Sequence, residues 1–157
     1  MRVGIGHDTH RLRTGGPLRL GGIDIPHDRH LVGHSDADVL LHAVTDALLG
    51  AAGLGDIGQM FPDTDPANRG RDSAEMLAAA WARVTDAGWR LGNLDCTIHA
   101  ERPKIAPHRE AITRRLAEIL GCTPEQINVK AKTAERAGPV GRQETLAADC
   151  AVILEKE

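Results

Sequence analysis

The stretch from residue 35 to residue 52, SDADVLLHAVTDALLGAA, constrains the fold of this chain most. Its apolar positions Val39, Leu40, Ala43, Val44, Ala47 and Leu48 recur with the 3.6-residue period of a helix. Ser35 followed by Asp38 has capping-box spacing, with Asp standing where Glu or Gln is usual. Gly53 and Gly55 mark the end. The rest of the chain must supply the surface on which this stripe is buried. Aromatic residues are scarce, one Phe, two Trp and no Tyr, so that surface has to be aliphatic.

Strand-like segments flank the helix. Residues 2–12 read as a strand, and PLRLGGIDIP, residues 17–26, alternates around Gly-Gly as a short hairpin. Residues 53–71 form a Gly/Pro/Asp-rich loop of a length that points to function. Asp72 with Glu75 caps a second helix that runs to about residue 87. Residues 89–101 read as a strand with Leu94, Cys96 and Ile98 on one face. A third helix spans 105–120 and stops at Gly121, and Thr123-Pro124 opens a single turn. Residues 127–133 and 145–157 read as the last strands. The order predicts one α+β domain over residues 1–157, a sheet with helices on one face. In the last strand Leu146, Ala148, Ala151 and Ile153 are apolar on both parities, so the second face is expected to be covered by other copies in a homo-oligomer.

A formal charge of −3 over 157 residues offers no basic surface for nucleic acid. No apolar run approaches the ~20 residues of a membrane span. Met1 leads almost at once into the strand-like RVGIG, so the expected location is cytoplasmic, away from membranes. The three cysteines form no CxxC pair, which supports neither a disulfide framework nor a Cys-ligated zinc. Cys96 and Cys150 lie in apolar strands and read as small buried residues.

Asp8 and His10 are two apart on a strand, so their side chains leave the same face. If the helix carrying His42 packs on that strand, the three converge. Two imidazoles and a carboxylate suit zinc, and three protein ligands leave a fourth position open, as catalytic sites do. Asp38 and Asp46, one turn to either side of His42, are candidates to orient it. His7, His27, His30 and His108 read as packed or surface histidines. VKAKTAE places Lys130, Lys132, Thr133 and Glu135 at a strand end, and AERPKIAPHRE runs through Lys104 to a helix start, where free N–H groups favour anions. With a metal, these point to a phosphorylated substrate. Alternatives are a metal-dependent phosphohydrolase acting on a nucleotide-sugar-like substrate and a binding protein with a structural metal; the open fourth position argues against the second, since a structural zinc would want a further ligand such as a nearby cysteine.

Three motifs together carry a resemblance: GHDTHRL (6–12), GHSDADVLLHAVTDALLGAAGLGDIGQMFPDTDP (33–66) and VKAKTAERAGPVGRQE (129–144). The chain resembles the 2-C-methyl-D-erythritol 2,4-cyclodiphosphate synthase family of non-mevalonate isoprenoid biosynthesis. That resemblance implies a mixed four-stranded sheet with helices on one face, and a homotrimer whose sheets face the three-fold axis. It implies active sites between subunits that cyclise 4-diphosphocytidyl-2-C-methyl-D-erythritol 2-phosphate and release CMP. The family's zinc ligands fall on Asp8, His10 and His42, and Glu135 matches the ligand of a second metal, magnesium or manganese. His34 and Ser35 match phosphate contacts, Asp56, Ile57 and Gly58 the methylerythritol contacts, and Phe61, Pro62, Asp63, Thr64 and Asp65 a mobile substrate loop. Ala100, Pro103, Lys104, Ile105 and Ala106, with Ala131, Lys132 and Thr133, match the cytidine pocket. His34, Thr133 and Glu135 are the implied catalytic residues. Arg142 matches a residue that grips an isoprenoid diphosphate in an apolar trimer cavity; Pro139, where many members have an aromatic, puts that ligand in doubt.

Overall fold

In the computed structural model, which describes residues 1–156, strand β1 (Arg2–Thr14) and helix α1 (Val39–Ala52) meet backbone to backbone. Gly4 and Gly6 lie on the inward face of β1. A Cβ at either would fall 1.9 Å from a helix carbonyl, that of Ala47 or Ala43. Any side chain there would hold the helix off the strand.

Helix α1 starts later than Ser35 predicts, because Asp38 is the N-cap. Its buried carboxylate accepts from Leu41 N (3.1 Å) and also from Gly21 N (2.9 Å) and Gly22 N (2.7 Å). One side chain thus opens the helix and ties down the turn of the hairpin β2 (Leu18–Leu20) and β3 (Ile23–Ile25), which forms as predicted. Burial raises the Asp38 pKa, and the three N–H groups oppose that rise. Twelve of the fourteen residues of α1 are buried, so the stripe read from the sequence is only part of a helix enclosed on nearly every side.

Five strands, not four, form the main sheet among the described residues. The order is β4 (Arg29–Val32), β1, β7 (Thr145–Lys156), β5 (Trp89–His99), β6 (Ile127–Lys132). All neighbours are antiparallel except β5 and β6, so the sheet is mixed. The additional strand is β4. Its four residues, RHLV, are too short and too polar to announce a strand; they become one by pairing with Arg11–Thr14, where β1 runs past the predicted end at residue 12. The loop at 53–71 contains a one-turn helix, α2 (Ile57–Met60), and a 3-10 turn, Pro66–Asn68. Helix α3 (Ser73–Asp86) is capped by Asp72 as predicted. The third predicted helix begins as a 3-10 turn, Ala106–His108, and becomes α4 (Arg109–Leu120). A further single turn, α5 (Gly138–Gly141), precedes β7. Glu157, the end of the predicted last strand, lies outside the described residues.

Helices cover one face of the sheet. In β7, Leu146, Ala148, Cys150, Val152 and Leu154 point into the core, whereas Ala151 is exposed on the other face. There Val3 pairs with Ile153 and Ile5 with Ala151, and Val3 and Ile5 remain 64% and 77% exposed. The apolar residues of both parities thus divide between a filled core and a bare apolar patch. Among the described residues, no helix is long and apolar enough to cross a membrane.

Candidate active site

Asp8 and His10 leave β1 on the helix side, and the close approach at Gly4 and Gly6 brings His42 of α1 down to them. Asp8 Oδ2 lies 2.9 Å from His10 Nε2 and 2.9 Å from His42 Nδ1, and those two nitrogens are 3.1 Å apart. Burial alone would raise the Asp8 carboxyl, but hydrogen bonds and charge from both histidines outweigh it and hold it well below the usual carboxylate range. Burial opposes the charged form of His10, yet Asp8 raises its pKa on balance. An oxygen and two nitrogens around one point, within ligand reach of one another, form a donor set that fits a divalent transition metal such as zinc.

The outward nitrogens are occupied. His10 Nδ1 lies 3.1 Å from the Val32 carbonyl, supplied by β4. His42 Nε2 lies 2.8 Å from Ser73 Oγ and 3.1 Å from Ser35 Oγ. Asp38 and Asp46 do not orient His42, contrary to the expectation: Asp38 is spent on three backbone N–H groups, and Asp46 Oδ1 accepts from Ile57 N at 2.8 Å. Ser73 was not legible as a partner of His42. It follows a helix cap 31 positions downstream, and no spacing rule links the two.

Beside the trio is a cavity of about 130 Å³. It brings together the expected His34, Ser35, Ile57, Gly58, Phe61 and Asp63 with His10 and His42, and adds Asn68 and Met76, which the sequence did not single out. Asp56 stands at its edge as the N-cap of α2, bonded to Gln59 N at 2.8 Å. The segment after Phe61 is tied internally. The Pro62 carbonyl accepts from Asn68 Nδ2 (2.9 Å), Asp65 caps the 3-10 turn through Ala67 N (2.9 Å), and Thr64 lies exposed between them.

The remaining expected residues stand elsewhere. Pro103 and Lys104 line a second cavity of about 620 Å³ with Arg102, Pro107, His108, His27, Asp28 and Gln143. Ala100 and Ile105 are buried, and Ala106 opens the 3-10 turn. Ala131 and Lys132 end β6. Beyond them the Thr133 hydroxyl donates to Glu135 Oε1 at 3.0 Å. Glu135 and Arg136 adopt φ of 49° and 64°, in the left-handed region, where strain often accompanies function. The Glu101 carboxylate accepts from Ala134 N (3.2 Å) and Arg136 N (3.5 Å) across this bend. Within one chain these residues are not joined to the trio: β1 and β6 are separated by β7 and β5, about 14 Å across the sheet at the usual strand spacing. Arg142 Nε donates to Glu144 Oε1 at 2.7 Å and lines neither cavity.

The comparisons agree with this geometry. The model of the YgbB family matches residues 1–155. The 2-C-methyl-D-erythritol 2,4-cyclodiphosphate synthase of Gemmatimonas aurantiaca is 62% identical over 146 residues, covering 93% of this chain and 88% of that protein. The solved bifunctional IspDF from Campylobacter jejuni superposes with a TM-score of 0.96 at 40% identity; it matches 99% of this chain, which spans only 42% of that longer one. A solved 2C-methyl-D-erythritol-2,4-cyclodiphosphate synthase in a CDP-bound form gives a TM-score of 0.90 at 40% identity, over 98% of this chain and 100% of that one. With a metal-donor trio at its centre and a family match over nearly its whole length, the chain belongs to the YgbB family.

Proposed function

We propose that this protein cyclises 4-diphosphocytidyl-2-C-methyl-D-erythritol 2-phosphate to 2-C-methyl-D-erythritol 2,4-cyclodiphosphate with release of CMP, a lyase step of non-mevalonate isoprenoid biosynthesis in the cytoplasm. The observation that carries the reading is the Asp8–His10–His42 trio, whose two histidines line a cavity that also presents His34, Ser35, Ile57, Gly58 and Phe61.

Asp8, His10 and His42 would hold zinc, and Glu135 would hold magnesium or manganese. When bound, these cations offset negative charge on the phosphate oxygens. The chain's own residues do the rest. The nucleophile is an oxygen of the substrate's 2-phosphate, whose second pKa of about 6 leaves it largely ionised at neutral pH. No strong base is needed. That oxygen bonds to the β-phosphorus, the bond between that phosphorus and the bridging oxygen of CMP breaks, and CMP leaves with the electron pair. Holding the two reacting centres together contributes up to roughly 7–11 kcal/mol. Asp56, Ile57 and Gly58 orient the methylerythritol, and the segment from Phe61 to Asp65 shields it from water. His34, Ser35, Lys132 and Thr133 donate to oxygens that gain charge during transfer. Ala100, Pro103 to Ala106 and Ala131 receive the cytidine.

One chain holds the trio at β1 and the Thr133–Glu135 bend after β6, three strand spacings apart, which supports a complete site formed between neighbouring copies. The bare patch of Val3, Ile5, Ala151 and Ile153 supports a homotrimer joined through the outer sheet face. Pro139 beside Arg142 disfavours an isoprenoid diphosphate in the resulting axial cavity.

The test is phosphorus NMR of the purified protein with the cytidyl substrate and magnesium, with and without a zinc chelator. Coupled cyclic diphosphate signals with stoichiometric CMP, lost on chelation, are expected. Free phosphate or an open-chain phosphate would make water the nucleophile and the protein a hydrolase.

A further inference from the structure

We infer that Ser73 and Asp36 are positioning residues that fix the tautomer of His42; the inference rests on the trio being the metal site. His42 Nε2 lies 2.8 Å from Ser73 Oγ. The Ser73 hydroxyl is bonded in turn to Asp36 Oδ1. The other contacts of Asp36 are also with donors. Its oxygens accept from Ser73 N (3.1 Å) and Asp38 N (3.2 Å), and the Arg19 guanidinium is 3.9 Å from Oδ2.

Proton counting along this chain leaves one arrangement. A carboxylate has no proton to donate, so the single hydroxyl proton of Ser73 points to Asp36. Ser73 Oγ then faces His42 with lone pairs only, and His42 Nε2 must carry the ring proton. In the neutral ring His42 Nδ1 is then the unprotonated nitrogen facing Asp8 and His10, the form in which an imidazole ligates a metal; the hydrogen bond to Asp8 belongs to the protonated ring. The Val32 carbonyl does the same for His10 in one step: it can only accept, so Nδ1 donates and, in the neutral ring, Nε2 is free. Ser73 is fully buried, so water does not compete for the relay. Ser35 Oγ, 3.1 Å from the same Nε2, is the longer contact and, with Nε2 protonated, accepts there as it does from Ala37 N.

The relay also joins elements that are remote in sequence. Asp36 lies just before α1, Ser73 is the first residue of α3, and Arg19 belongs to the hairpin. The orientation of one zinc ligand is therefore set by the docking of three elements.

Ser73→Ala and Asp36→Asn test it on the full-length protein. Zinc affinity is measured by competition with a chromophoric chelator, and the His42 tautomer is read from nitrogen-15 NMR of the zinc-free protein at a pH where the ring is neutral. Either variant is expected to lose about 10- to 100-fold in zinc affinity, the usual cost of removing a group behind a metal ligand. His42 should pass from an Nε2-protonated ring to a mixture, and Ser73→Thr should restore both readouts. Unchanged affinity and tautomer in both variants, while His42→Ala abolishes zinc binding, would overturn the relay and leave the metal site standing. If His42→Ala itself binds zinc as well as the parent, the metal-site reading fails, and the inference with it.

Discussion

His10 Nδ1 lies 3.1 Å from the carbonyl of Val32, so β4, which pairs only with the far end of β1, orients a histidine of the candidate site. His42 is held from the opposite side by α3. The trio is therefore a product of the whole sheet-and-helix assembly, and each part of it can be tested.

His42→Ala removes one of the three donors that converge at the site. Zinc content should fall to background and kcat by about 10³-fold, in keeping with the several kcal/mol a bound Lewis acid contributes. Circular dichroism should be unchanged. Full activity in protein shown by elemental analysis to be free of zinc would reject the assignment.

Glu135→Gln keeps the shape of the bend and removes the charge. The magnesium requirement should move to concentrations about tenfold higher or more, a change of about 1.4 kcal/mol. Zinc at the trio should remain stoichiometric. A magnesium titration that superimposes on that of the parent would mean that Glu135 is not the ligand.

Gly6→Ala tests the contact that brings α1 onto β1. The added Cβ meets the Ala43 carbonyl at 1.9 Å, and a backbone atom cannot swing aside. A loss of about 3 kcal/mol is expected, a fall in Tm of roughly 6–12 °C at this chain length. Zinc affinity should fall with it, because His42 rides on the displaced helix. A variant with parental Tm and parental zinc affinity would show that the close approach is not required.

Ile5→Glu places a charge in the centre of the bare apolar patch, where Ile5 is 77% exposed in the single chain. If the proposed trimer joins through this face, sedimentation should show a smaller species than the parent, with activity lost because the proposed shared site is split. Retention of the parental mass would exclude the outer sheet face as the interface.

Thiol labelling checks the core. Burial pushes the Cys96 thiol up to about 12 and that of Cys150 higher still; Cys122, half-buried, is raised as well. Since the thiolate is the reactive form, Cys96 and Cys150 should resist alkylation at about pH 8, with Cys122 labelling first and slowly. Rapid modification of all three would indicate a looser core than this one.

Periodicity and motif alone determined the α+β class, the hairpin around Gly21-Gly22, the cap at Asp72 and the pairing of Asp8 with His10 on one face. These are local properties, set by residues within a turn or two of one another, and short-range sterics and hydrogen bonds enforce them wherever the segment lies. Strand β4 was not legible, because four polar-leaning residues become a strand only when β1 offers them an edge. Nor was Ser73 as the partner of His42, or the diversion of Asp38 and Asp46 to backbone N–H groups. A carboxylate beside a histidine on a helix is free to turn either way; which donors it meets depends on the elements that dock around it. The glycines at 4 and 6 could be read in the sequence, but not the helix carbonyls that make them necessary. Tertiary packing alone decided how closely α1 approaches β1, and with it whether three distant residues become one site.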